Sequence, residues 1–150
     1  MKQAGTTFVP SVWDRLTAPT TAVMLTLEQH KRAITRDLEN LLNTRTATPE
    51  ADLTGLPLGR QSIANFGLAD FAQLCLSSSA DRKDICDRLE ATIARHEPRL
   101  DGVRVQLLHE PGVVNRLSFV ITARLRTRAD GERVRFDVML EPSSLHYSIR

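Results

Sequence analysis

After Pro98 the hydrophobic pattern of this 150-residue chain changes its period. Upstream, apolar residues return at helical spacing: Leu27, Ile34, Leu38, Leu41 and Leu42 in TLEQHKRAITRDLENLLNTR, then Ile85, Leu89 and Ile93 in ADRKDICDRLEATIARHE. Downstream they alternate. Val103, Val105 and Leu107 open the series, Leu117, Phe119, Ile121, Ala123 and Leu125 extend it, and Val134, Phe136, Val138 and Leu140 follow. Helices first and strands afterwards predict an α+β fold, with the N-terminal helices packed on one face of a small, mainly antiparallel C-terminal sheet. The opposite face of that sheet reads as polar.

Local signals set the boundaries. Ser11 and Asp14 form a Ser-x-x-Asp capping signature for one short helical turn that ends before Pro19 and carries Val12, Trp13 and Leu16. We read residues 1–22 as a docking tail and 23–150 as a single domain with one core. Thr26 and Gln29 make a second capping box, for a helix of about five turns. From Thr46 to Arg60, Pro49, Gly55, Pro57 and Gly59 predict a loop whose leucines tuck onto the core. A short helix interrupted at Gly67 follows, and Ser78 or Ser79 caps the next one. Asp130-Gly131 marks a hairpin between the second and third strands. In the terminal SLHYSIR, Leu145, Tyr147 and Ile149 share the inward face while His146 and Ser148 face outward, and either this strand or the one around Phe136 to Leu140 is expected to offer a free edge.

Composition excludes little by itself. A net charge of +2 and a pI near 8.8 are too mildly basic to imply nucleic acid or an anionic membrane. No run approaches the roughly 20 apolar residues of a membrane span, and MKQAGTTFVPSVWDRL has no signal-peptide core, so a cytosolic location is expected. Cys75 and Cys86 lack metal-type spacing and read as buried reduced thiols.

Catalytic constellations are missing from the pattern. There is no His-Glu-x-x-His, Cys-x-x-Cys, Gly-x-Ser-x-Gly or phosphate-binding glycine loop, so no metal or cofactor is expected. His30, His96, His109 and His146 are scattered and read as ordinary surface or boundary residues. Glu28, Glu39, Asp70, Glu90, Glu97 and Glu110 are acids enough to compose a glycosidase pair, but most acids at such spacings are solvated helix faces. Arg124, Arg126, Arg128, Arg133 and Arg135 crowd the hairpin's outward face and tip. They suit phosphate contact or, in the absence of interleaved aromatics, protection of a sheet edge by charge.

Glu97-Pro98-Arg99 is the placement that needs a reason. Glu97 falls at a helix C-terminus, the negative pole of the macrodipole, and the following proline pushes it out of helical geometry. Pro98 fixes a rigid exit and Arg99 supplies a fork-shaped donor. The tripeptide is either a helix stop closed by a local ion pair or a stiff element that meets a partner.

Taken in order, WDRL, DLENLLNTR, SIANFGLADF and EPRL, followed by the alternating strands, resemble the TssE family of type VI secretion baseplates and the lysozyme-like wedge proteins of contractile-tailed phages. The resemblance covers nearly the whole chain. It implies a structural subunit that binds the wedge proteins TssF and TssG through Glu97, Pro98 and Arg99. TssK would be reached only indirectly. It also implies that the terminal strands, with Leu145, His146, Tyr147, Ser148 and Ile149, template polymerisation of the TssB/TssC sheath. The expected location is a cytoplasmic baseplate docked at the inner-membrane complex, without direct membrane insertion, nucleic acid, cofactor or catalysis. A peptidoglycan hydrolase and a basic nucleic-acid module are the alternatives.

Overall fold

The computed structural model describes residues 7–17, 24–48, 50–71, 74, 78–108, 117–127, 131–141, 144 and 146–150, with the side chains of Glu50, Ala51 and Leu117 left aside. Pro19, Pro49, Cys75, His109, Glu110, Arg128, Asp130 and Leu145, all singled out above, lie outside the described residues. Two compact units, 1–37 and 38–150, divide the chain.

In the first unit, α1 spans Val12–Thr17 and α2, Leu27–Asn43, begins. Both capping boxes close as their spacing predicts. The Ser11 amide donates to Asp14 Oδ2 at 3.1 Å and the Asp14 amide to Ser11 Oγ at 3.1 Å. The Thr26 amide donates to Gln29 Oε1 at 2.9 Å, and the Gln29 amide to Thr26 Oγ1 at 3.3 Å. Each box satisfies amides that the first turn of a helix otherwise leaves orphaned. Phe8 pairs through its main chain with Leu25, and its ring stacks on His30 at 4.1 Å. His30 is therefore no surface residue; it is buried, because it lies on the same side of α2 as the buried Ala33 and Ile34.

The second unit holds the end of α2, then α3 (Pro57–Gln61), α4 (Ser79–His96) and four strands. These are β1 (Leu100–Leu108), β2 (Leu117–Leu125), β3 (Arg133–Glu141) and β4 (His146–Ile149). Their order in the sheet is β1-β2-β3-β4, with every pair antiparallel, so the α+β expectation holds. Val103, Val105, Phe119, Ile121, Ala123, Leu125, Val134, Phe136, Val138 and Tyr147 are buried on one face, as alternation requires, together with Ile85, Leu89 and Ile93 of α4. Val120 departs from the polar reading of the other face. It is 6% exposed because it sits on the inner strand β2, opposite Gln106 and Asp137.

The 46–60 segment is more ordered than a plain loop, with a 3-10 turn at Glu50–Leu53 before α3. Only Leu53 of its leucines tucks in; Leu56 and Leu58 are 55% and 81% exposed, which corrects the expectation that they join the core. Ser78 caps α4, its Oγ accepting the Asp81 amide at 3.3 Å. Gly67, at φ +111, ties the end of α2 to the stretch after α3. The Leu68 amide donates to Thr44 O at 2.8 Å and the Thr46 amide to Leu68 O at 3.0 Å. A Cβ at Gly67 would lie 2.6 Å from Thr44 O, so the close approach requires glycine.

Candidate functional site

At the α4–β1 corner the helix stops because Pro98 cannot continue it. Glu97 is the C-cap, its amide still donating to Ile93 O at 2.8 Å. Its side chain folds onto Arg99: Nε meets Oε1 at 2.6 Å, Nη2 meets Oε2 at 2.5 Å, and the Arg99 amide donates to Oε1 at 3.2 Å. The Glu97 side chain is 5% exposed and that of Arg99 25%. A buried carboxylate at the negative end of a helix is unfavourable unless paired, and this bidentate fork pairs it. Arg99 O then accepts the Arg126 amide at 2.8 Å, tying the corner to the end of β2. The local ion pair of the first reading thus exists, and Pro98 stands exposed at its apex.

Behind the corner, His96 brings two of the sequence motifs together. Its Nε2 lies 2.9 Å from Asn65 O, and its ring meets Phe66 edge-on at 5.3 Å. Burial holds the His96 imidazole below its usual pKa, although the Asn65 carbonyl pulls the other way. SIANF and EPRL are therefore neighbours, and the Gly67 clasp adds LLNTR to them. Periodicity alone does not reveal that convergence.

The sheet edges differ from expectation. On β4 the Tyr147 amide donates to Asn43 Oδ1 at 2.8 Å, Tyr147 O accepts from Asn43 Nδ2 at 2.9 Å, and the Ile149 amide donates to Glu39 Oε1 at 2.8 Å. These are the groups that alternation turns away from β3, so His146 and Ser148 direct theirs toward it. The edge of β4 is not free. Side chains of α2 occupy it, and Tyr147 is held further by edge-on contact with Phe119 at 5.8 Å. On β1 the Val105 amide donates to Glu90 Oε1 at 2.8 Å and the Leu107 amide faces the Cys86 sulfur. Cys86 is a free, half-buried thiol whose pKa burial pushes up. Sequence reading missed Glu39, Asn43 and Glu90 in this role.

Of the acids considered for glycosidase chemistry, Glu39 and Glu90 serve the sheet edges, Glu97 the corner, and Glu28 pairs with Lys31 at 3.7 Å. A shallow cavity of about 350 Å³ lies beside α4, lined by Arg88 and Arg95 with Thr46, Asn65 and Phe71, and Asp70 is its single carboxylate among the described residues. Glycoside hydrolysis by paired carboxyls would need two. No group of three or more His, Cys, Asp or Glu among the described residues could hold a metal ion. Among the described hairpin arginines, Arg124 stands opposite Arg133 and Arg135 pairs with Asp137 at 2.8 Å. No helix among the described residues is long and apolar enough to cross a membrane.

The fold is thus a meander sheet whose edges are capped by acids of α2 and α4, joined to α4 through a corner closed by its own ion pair. The chain matches the family model of the baseplate wedge protein gp25 over residues 28–130, and it belongs to that family of phage baseplate wedge and TssE proteins. No curated protein matches it. The matched span includes Glu97, Pro98 and Arg99, whereas α1, β3 and β4 lie outside it.

Proposed function

We propose that the chain is the TssE-type wedge subunit of a type VI secretion baseplate. In this role it binds TssF and TssG at the Glu97-Pro98-Arg99 corner and provides the starting template for the TssB/TssC sheath. The observation that carries the reading is the corner itself: a bidentate pair fixes the backbone on both sides of an exposed proline, within the span that matches the family. Such an element meets a partner in one orientation and loses little freedom on binding. Because Arg99 is spent on Glu97, the corner acts through its rigid shape and the exposed part of the guanidinium.

Templating at Leu145, His146, Tyr147, Ser148 and Ile149 takes a modified form. An incoming sheath strand replaces Glu39 and Asn43 as the partner of the outer β4 groups, exchanging side-chain for main-chain hydrogen bonds. TssK is reached only through TssF and TssG, and the baseplate sits on the cytoplasmic side of the inner-membrane complex. No nucleic acid, cofactor or catalytic step enters.

The test is co-purification of the tagged chain from cells, with sheaths counted by fluorescence microscopy. Recovery of TssF and TssG together with chain-dependent sheaths supports the assignment. Recovery of neither, with normal sheaths in cells lacking the chain, refutes it.

A further inference from the structure

α1 is turned inside out. Val12, Trp13 and Leu16, at i, i+1 and i+4 of α1, are 73%, 60% and 75% exposed, and Val9 in the extended stretch just before the helix is 71% exposed. The polar side is the one held against the rest of the first unit. Asp14 Oδ1 receives Arg36 Nη1 at 2.8 Å, Arg36 also reaches Asp37 at 2.9 Å, and Ser11 Oγ donates to Asp14 Oδ2 at 2.7 Å. Immediately before α1, Phe8 is fixed by its pairing with Leu25 and its stacking on His30. These apolar residues are therefore presented at an anchored helix.

Its surroundings say what covers it. Arg15 on α1 and Arg32, one helical turn before Arg36 on α2, are exposed and in no ion pair among the described residues. The one carboxylate of α1, Asp14, is already engaged. A second copy of α1 would bring Arg15 toward Arg15 with no free acid to meet it, so self-pairing is disfavoured. An interfacial membrane helix is rich in Lys and Arg, whereas α1 carries a single basic residue, Arg15, and turns an acidic one, Asp14, toward Arg36. We propose that α1 is a docking helix for another baseplate wedge subunit, seating Val9, Val12, Trp13 and Leu16 in an apolar groove rimmed by carboxylates that pair with Arg15 and Arg32. This rests on the wedge-subunit reading above. It adds a second contact outside the span shared with the family.

Trp13 is the only tryptophan in the chain, so 5-fluorotryptophan labelling gives one 19F resonance at the proposed interface. Unlabelled TssF–TssG complex is titrated into the full-length labelled chain. The resonance is expected to shift and lose contact with a soluble paramagnetic quencher. Leu16→Asp, at a position where burial is not required for folding, and Arg15→Glu each weaken binding by about tenfold or more with unchanged circular dichroism. A complex that forms while the resonance stays fixed and Leu16→Asp binds like wild type overturns the inference alone. Absence of any complex contradicts the wedge-subunit reading and the inference together. A shift produced instead by phosphatidylglycerol–phosphatidylethanolamine vesicles, or by raising the concentration of the chain alone, overturns it in favour of membrane or self-association.

Discussion

Arg99 closes on Glu97 across a single proline, with its guanidinium Nε and Nη2 on the two carboxylate oxygens, and Glu97 is left 4% exposed. The two partners are unequal in their access to water. Removing Arg99 strands a buried carboxylate, whereas removing Glu97 frees a guanidinium that already reaches solvent. Arg99→Ala is therefore expected to lower stability by about 3 kcal/mol and Glu97→Ala by less. Urea denaturation of both variants measures the difference, and equal losses would mean that the pair is not the asymmetric element described.

The two edges of the sheet give a second expectation. Asn43 supplies both a donor and an acceptor to Tyr147, so Asn43→Ala should cost about 1 kcal/mol and accelerate hydrogen exchange at the Tyr147 amide. Ser148→Pro should instead disrupt the β3–β4 ladder, because the Ser148 amide faces Met139 on β3. Unchanged exchange at Tyr147 in Asn43→Ala would show that the outer edge does not depend on α2.

His96 contributes a pH dependence whose sign follows from burial. Its folded pKa lies below the usual value of 6.5, so the neutral form is favoured in the native state. The stability this provides is present above the unfolded pKa and is lost as pH falls through that value toward the folded one. Thermal melts of the wild type and of His96→Gln, which keeps a donor for Asn65 O, should lose stability unequally between pH 7.5 and pH 5, the variant losing less. An identical loss in both would assign the acid sensitivity to other groups.

Gly67 allows no side chain. With φ at +111 and Thr44 O at 2.6 Å from any Cβ, Gly67→Ala is expected to destabilise by about 1 to 3 kcal/mol and to open the clasp between the end of α2 and Leu68. Slower exchange at the Leu68 amide in the variant than in the wild type would contradict this.

Much of this architecture was legible in the residues, for physical reasons that can be named. Capping boxes are local, so Ser11 with Asp14 and Thr26 with Gln29 identified their helix starts directly. Strand alternation is also local, and it placed Phe119, Ile121, Phe136 and Val138 on the core face. The edge caps were illegible because Asn43 and Tyr147 lie 104 residues apart, and an isolated strand pattern says nothing of what lies beside it. The burial of His30 is illegible for a related reason: a lone histidine on a helix gives no sign that Phe8, from outside that helix, will stack on it. The exposure of Leu56 and Leu58 is illegible because loop leucines carry no periodicity to show which way they face. At the corner, the residue types announced an ion pair or a docking element, and the geometry combines the pair with an exposed apex. The family resemblance, rather than spacing, brought TssF and TssG into view.

The central claim is that this corner is where the chain joins its wedge. Pro98 is exposed and belongs to neither side of the ion pair, so Pro98→Lys alters the apex while keeping Glu97 and Arg99, and a positive charge there suits a helix C-terminus. The deciding measurement is the Kd of the purified chain for the TssF–TssG complex, wild type against Pro98→Lys, with the variant's fold checked by its thermal melt. A folded variant with affinity reduced by about tenfold or more, a loss of roughly 1.4 kcal/mol, is the predicted result. A folded variant that binds TssF–TssG as tightly as wild type would contradict the account.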